Sequence, residues 1–491
     1  MKRCLFVGAM LLSLGIVTDS AAQKRDSNRL MNGDFAVWKE GKPASWGVTV
    51  GAGRQDGKRS SIVARKNGGV SLSGDASTET WRSLSQMITV APGASLRVRF
   101  EARQIGVKRE GNQYDNCFVG VLCEDAAGKR LALTFGNVTS PELQVDEFSI
   151  RVPANTAQTS VVVFLSKTGQ LDVRSIEVLE PPATDSFDIL LADMRRSYSF
   201  SQLKQVDWKK LATDYRARAV AAESPAEFIE AIRPMLATLE DTHVWIIDPA
   251  GKQIPTHRSK YSANFYYPII SAQLTNRSNI GDAVIIGRTK DRLGYVAVQH
   301  LAGKRTEFER AARQIEALFE DCSGIIVDLR KNSGGAEPNA QVMAGLFTDE
   351  PVLYAQSVRR NGSDASDFGP PSRRFLKPVR QTAFKKPVAC LIGPGCVSSG
   401  EGLAMMLKAL PHVTLFGQAT RGASGNPAAV SLPNGVEVFY SRWVSMLPDG
   451  TIIEGQGIQP DRPIKHTSGA KQDPTFQAAV RHLLKANESV R

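Results

Sequence analysis

The chain has 491 residues, 42% hydrophobic and 22% charged, which is the composition of a soluble globular protein and too much chain for one ordinary domain. Its formal charge is +12, but the basic residues are scattered and no Lys/Arg run is interleaved with aromatics, so a nucleic-acid surface is excluded and a basic surface favouring anionic polymers or chain ends is expected. The 6 cysteines have neither zinc-site nor disulfide-framework spacing, so neither a metal nor another cofactor is expected.

In chain order, the first segment reads as a signal peptide over 1–22. Lys2 and Arg3 are followed by an apolar stretch over 5–17 and by Ser20-Ala21-Ala22, a small-residue cleavage pattern. The apolar part is too short to span a bilayer, and no later stretch is long enough, so no transmembrane segment is expected. The mature chain is then exported, periplasmic or secreted. It keeps 5 cysteines, Cys117, Cys123, Cys322, Cys390 and Cys396, so at least one lacks an intrachain disulfide partner.

Residues 27–182 read as β structure. Short alternating runs at 85–90, 95–102, 118–123, 131–134, 148–152, 160–165 and 173–178 are separated by turn clusters, the pattern of a β-sandwich. The opening Asn32-Gly33-Asp34-Phe35, with Trp38, Gly41, Pro43 and Trp46, resembles carbohydrate-binding jelly-roll modules. That resemblance implies a polysaccharide partner. The aromatics are equally readable as core residues.

Pro181-Pro182 marks the domain boundary. Helical spacing follows at 187–197, 208–221 and 225–236, with Pro234 placed to end or kink the last helix, and a helical region is assigned to 186–250. A polar connecting β-piece covers 251–293, with no convincing PDZ-like module. An α/β core is assigned to 294–470. Its strands are expected within 291–299, at 324–329, 387–392 and 413–416, and near 436–440. Its helices are expected at 307–319 and 340–346 and after Ser398. The tail carries a weak helix at 474–484.

The run 386–410 organises this core. An apolar strand leads to the turn Gly393-Pro394-Gly395 and then to Ser398-Ser399-Gly400-Glu401 at the mouth of an apolar helix. A serine there has its hydroxyl beside free helix N–H groups and the positive end of the helix dipole, which suits a nucleophile with an oxyanion site. The same Ser-x-x-Glu is also a helix capping box, so the segment alone leaves both readings open.

Five motifs in order change that balance. GYVAV, IIVDLRKNSGG, PVACLIGPGCVSSGE, LFGQATRG and EGQGIQPD resemble the serine peptidases that include the C-terminal processing (tail-specific) peptidases and the tricorn core protease, over about residues 200–465. The resemblance implies a crotonase- or ClpP-like α/β core behind a small helical region. It implies Ser398 as nucleophile, with oxyanion N–H groups from the pair Gly334–Gly335 and from Ser399. The tail-specific subgroup carries its base lysine in a GKG context after this loop, but here Gly422 is followed by Ala423. The tricorn-like motifs fill the gap. His243 in Leu239-Glu240-Asp241-Thr242-His243 is then the general base and Glu454 the orienting acid, with Thr242 or a water as relay. The expected function is an exported serine peptidase acting on peptides or proteins. The alternative is a non-catalytic ligand- or glycan-binding protein on the same fold.

Overall fold

The computed structural model describes residues 28–50, 61–74, 81–107, 117–166, 168–319, 322–360, 364–380, 383–465 and 472–488. The segment read as a signal at 1–22 lies outside them. The chain divides into two compact units between Ala183 and Thr184, close to the break expected at Pro181-Pro182.

The N-terminal unit holds two five-stranded antiparallel sheets. Its strands are β1 (Gly47–Val50), β2 (Ser61–Ala64), β3 (Val70–Gly74), β4 (Arg82–Ile88), β5 (Ser95–Ile105), β6 (Cys117–Glu124), β7 (Arg130–Asn137), β8 (Gln144–Arg151), β9 (Gln158–Leu165) and β10 (Gly169–Leu179). One sheet runs β8-β5-β10-β3-β2 and the other β1-β4-β9-β6-β7. Alternate residues from both sheets share one core, among them Leu72, Val98 and Ile176 from the first and Leu84, Val121 and Val163 from the second. The aromatics of the opening motif divide. Phe35 and Trp46 are buried against each other in this core, with ring centroids 5.0 Å apart. Their role is packing.

The C-terminal unit begins with α1 (Ser186–Ser197), α2 (Trp208–Val220) and α3 (Pro225–Ala237). Ser224 caps α3, and the helix runs on through Pro234 to Ala237. Pro234 has no N–H to offer the Glu230 carbonyl, and the helix ends three residues after it. Next come β11 (Trp245–Ile247), β12 (Gln253–Pro255) and the short α4 (Tyr267–Ser271), then β13 (Leu274–Ile280) and β14 (Val284–Thr289). The last two are not a connecting piece. They pair with β15 (Gly294–Val298) and extend the central sheet, so the core sheet starts at 274.

That sheet has seven strands, β13-β14-β15-β16-β19-β20-β24, where β16 is Ile325–Asp328, β19 Val388–Ile392, β20 Val413–Gly417 and β24 Arg462–Pro463. From β15 to β24 the pairing is parallel. Every residue of β15, β16 and β19 is buried, as expected for parallel strands covered on both faces. Val296, Val327 and Cys390 point to the face covered by α5 (Arg305–Phe319), α6 (Glu337–Ala344) and α7 (Ser399–Lys408). Tyr295, Ile326 and Leu391 point to the other face, where Phe476, Ala479 and Leu483 of α8 (Pro474–Glu488) pack. The tail helix is therefore longer than its sequence pattern indicates. Its stability comes from that apolar stripe, at about 2 kcal/mol per large buried side chain.

Two small sheets complete the unit. One, β12-β11-β22-β21, adds β21 (Pro427–Ser431) and β22 (Glu437–Ser441) to the strands beside the helical region. The other, β18-β17-β23, is built from β17 (Val352–Val358), β18 (Ser372–Leu376) and β23 (Val444–Met446). The five cysteines among the described residues are buried and free. Among the described residues no helix is long and apolar enough to cross a membrane, and no cluster of His, Cys, Asp and Glu could hold a metal ion.

Candidate active site

The strand β19 ends at Ile392, and the turn after it delivers Ser398 to the N-cap of α7. Ser398 has φ 58° and ψ −127°. That region is nearly closed to residues with a Cβ and costs about 1–3 kcal/mol. The Ser398 backbone N–H donates to Ala423 O at 2.8 Å and lies 3.3 Å from Glu401 Oε2. The Glu401 carboxyl does more than cap. Its Oε1 accepts the Thr420 hydroxyl at 2.6 Å and the Gly422 N–H at 2.7 Å, and its Oε2 accepts the Ala423 N–H at 2.9 Å. Burial pushes this carboxyl up to about 7, against the donors that favour its charged form. The N-terminus of α7 is thereby tied to the loop 420–423.

The segment after β16 is fixed from below by a buried charge cluster. Asp328 receives Arg330 Nε at 2.9 Å and Nη2 at 2.7 Å, and Nη1 donates to Asp473 at 2.7 Å and to Asn264 O at 2.9 Å. Removing Arg330 would leave both aspartates buried without their counter-charge, at a cost of about 3–5 kcal/mol. Asn332 then links two loops. Its Oδ1 accepts the Gly334 N–H at 2.9 Å, and its carbonyl accepts the Val397 N–H at 3.0 Å.

The glycine pair is sterically required. A Cβ on Gly334 (φ +86°) would lie 2.8 Å from the Ser398 Cβ, and one on Gly335 (φ +137°) 2.3 Å from the backbone of Leu301 and Ala302. Because the Gly334 N–H is engaged by Asn332, Gly335 is the member of the pair with an N–H left to offer. Ser399 stands at the first position of α7, where a helix N–H has no intrahelical partner, and its hydroxyl donates to Gly335 O at 2.6 Å. That hydrogen bond holds the two expected donors together and engages the Ser399 hydroxyl.

A cleft of about 740 Å³ opens over these residues, lined by Ser398, Ser399, Gly335, Thr242 and His243 together with Trp245, Trp443, Arg374 and Arg421. No lysine is among the described residues lining it. His243 lies between α3 and β11 and is 7% exposed. Burial lowers its basicity below the ordinary histidine value of 6.5, and the charge of Asp241 partly opposes this. Its Nδ1 and the Thr242 hydroxyl are buried without a hydrogen-bond partner among the described residues. Glu454 is not on the cleft wall. Its Oε2 accepts the Ser424 N–H at 3.5 Å, and its Oε1 lies 3.7 Å from Lys204 Nζ. Its loop is fastened to the 420–422 loop, since the Ile458 N–H donates to Thr420 Oγ1 at 2.7 Å and the Gly455 N–H to Gly422 O at 2.8 Å.

Residues 292–464 match peptidase family S41, and residues 184–237 match the tricorn protease C1 domain. The region 292–464 is thus similar to the peptidases of family S41. It is 26% identical over 174 residues to the carboxy-terminal processing protease CtpB of Bacillus subtilis (strain 168), and 30% identical over 139 residues to CtpA of the same organism. These matches take in 35% and 28% of this chain, and 34% and 28% of the two relatives. The chain thus spans about a third of the length of these curated relatives. A solved structure from Parabacteroides merdae ATCC 43184, provisionally assigned as a peptidase, superposes with a TM-score of 0.54 at 26% identity, over 62% of this chain and 97% of that one. The matched S41 region contains Ser398, Glu454 and the glycine pair, while His243 falls between the two matched regions.

One residue here had no role in the sequence reading. Asp241, two positions before His243, accepts the His243 backbone N–H at 2.8 Å. The Asp-x-His spacing is that of an Asx turn, the one local signal that could have pointed to it.

Proposed function

We propose that the C-terminal unit hydrolyses peptide bonds through an acyl-enzyme on Ser398. The observation that carries this reading is the strained backbone of Ser398 over the cleft it shares with His243. A serine that only capped α7 would gain nothing from that conformation. In the cycle, the His243 imidazole takes the Ser398 hydroxyl proton as Oγ attacks the carbonyl carbon, and then returns it to the leaving amine. The N–H groups of Gly335 and Ser399 receive the oxyanion. Glu454 braces the histidine from behind, with the Thr242 hydroxyl as relay. The lysine-free cleft supports the histidine assignment over a Ser–Lys dyad. The core is read as the crotonase- or ClpP-like type. The names of the relatives support processing of polypeptide carboxyl termini, and an exported enzyme is consistent with the reading of 1–22. Digestion of an unfolded protein substrate, with the new termini identified by mass spectrometry, tests the activity. Cleavage by wild type and none by Ser398→Ala is expected.

The oxyanion assignment has its own test. Gly335→Ala is expected to lower kcat by about 10²–10³-fold, the usual cost of losing one such donor, because the added Cβ displaces the backbone carrying the N–H. A Gly335→Ala enzyme with wild-type kcat on a small peptide would remove Gly335 from the site.

For the N-terminal unit we propose a jelly roll that serves in targeting and takes no part in the chemistry. Its strand order supports the topology. Its outward sheet face supports a polysaccharide partner. Trp81, 40% exposed, ends a row of stacked rings with Phe164, Phe118 and Phe135 beside a groove of about 570 Å³. An exposed aromatic face suits the apolar face of a sugar ring. A glycan array with wild type and Trp81→Ala tests this, and absence of any wild-type signal removes it. A chain truncated to begin at Thr184 is expected to keep kcat/KM on a small peptide within about threefold, or less than 1 kcal/mol of transition-state binding. A folded truncation without activity would overturn the division of labour.

A further inference from the structure

Two buried carboxyl groups, Asp241 beside His243 and Glu454 within reach of the charge of Asp241, differ in their surroundings. Asp241 is 1% exposed. Its Oδ1 accepts the His243 backbone N–H at 2.8 Å, and its Oδ2 accepts the Ser441 hydroxyl at 2.7 Å and the Tyr198 hydroxyl at 3.2 Å. The three donors come from three segments: the loop before β11, the end of β22, and the residue after α1. Donors converging on a carboxylate favour its charged form. Glu454 is 8% exposed and has only the Ser424 N–H at 3.5 Å and the Lys204 ammonium at 3.7 Å. Neither contact is a strong hydrogen bond. The nearest Asp241 oxygen is 4.0 Å from His243 Nδ1. That is too long for a hydrogen bond but close enough for a strong attraction between buried charges.

We propose that Asp241 is a positioning residue for the reaction proposed above, pinning the His243 turn and supplying the negative charge that stabilises the imidazolium, with Glu454 present as a neutral hydrogen-bonding acid. The inference rests on the serine peptidase reading. Neither carboxyl takes a proton in the cycle. The Ser398 proton moves to the imidazole and on to the leaving amine. The groups facing Asp241 are Tyr198, Ser441, His243 and Glu454, and Glu454 in turn faces Lys204 and the charge of Glu401. Burial first, and then the charge of Asp241, push Glu454 up to about 8. Two like charges in one buried site do not both ionise easily.

The test compares Asp241→Asn with Glu454→Gln in the full chain. Asp241→Asn is expected to lower kcat at least 100-fold with KM little changed, and to move the rising limb of kcat/KM to lower pH. The sign follows because loss of a neighbouring negative charge makes the imidazolium a stronger acid. Glu454→Gln, which removes no charge under this assignment, is expected to lower kcat by about tenfold, or roughly 1.4 kcal/mol, with the limb unmoved. A purely structural role for Asp241 would leave the limb in place and overturn the charge assignment. So would a Glu454→Gln loss equal to that of Asp241→Asn. If Asp241→Asn does not fold, infrared spectroscopy still decides. The wild-type-minus-Glu454→Gln difference spectrum at pH 7 is expected to carry a protonated carboxyl stretch. A carboxylate stretch there overturns the proposal. Failure of Ser398 to react with a fluorophosphonate would count against the peptidase reading instead, and the infrared result would then judge the charge assignment alone.

Discussion

Ser398→Ala is expected to abolish turnover, lowering kcat by about 10⁶-fold, the scale seen when a serine hydrolase loses its nucleophile. The protein should remain folded, because the backbone N–H of residue 398 still donates to Ala423 O and Glu401 still holds the loop 420–423. Alanine keeps the Cβ that already fits beside Gly334. Ser399→Ala serves as the control for register. It removes the hydrogen bond to Gly335 O but retains the Ser399 N–H, so a loss of about tenfold is expected. Steady-state kinetics on one peptide, with circular dichroism for folding, separates the two. Inactivity of Ser399→Ala with activity in Ser398→Ala would put the nucleophile one residue later.

His243→Ala is expected to be nearly as inactive as Ser398→Ala, because a nucleophile without its base costs almost as much as no nucleophile. The pH dependence carries the same assignment. The base must be neutral to accept the serine proton, so kcat/KM rises as His243 loses its own proton. Burial opposes the charged imidazole, so the midpoint should lie below the ordinary value of 6.5. A rate that instead climbs through the lysine range, or a His243→Ala enzyme with near-wild-type turnover, would return the search to the lysines.

The order of the core was legible because parallel buried strands have little choice of sequence. Ile325-Ile326-Val327 and Val388–Ile392 read as continuous apolar runs, and the residues after them are the ones that form the site. The motifs were visible, but the reasons for their residues were not. Asn332 reads as a turn residue, yet it joins the loops that carry Gly334 and Ser398. Thr420 and Glu401 read as a loop hydroxyl and a capping acid, and they meet across 19 residues of chain. Asp241 was illegible for the same cause. Its partners Tyr198 and Ser441 stand 43 and 200 residues away, and no local pattern announces such a convergence. The strand β18, Ser-Arg-Arg-Phe-Leu, is mostly exposed and lacks the alternation that marks a strand. The tail helix was legible at 474–484 and runs on to Glu488, its stability coming from tertiary packing.

The central claim is that Ser398 is a nucleophile activated by His243. Labelling with a fluorophosphonate probe, with the adduct located by tandem mass spectrometry, reads this directly, since such probes react with an activated serine. A single adduct on Ser398 in wild type is expected, with labelling absent in Ser398→Ala and strongly slowed in His243→Ala. An adduct at another serine, or labelling of Ser398 at an unchanged rate without His243, would contradict it.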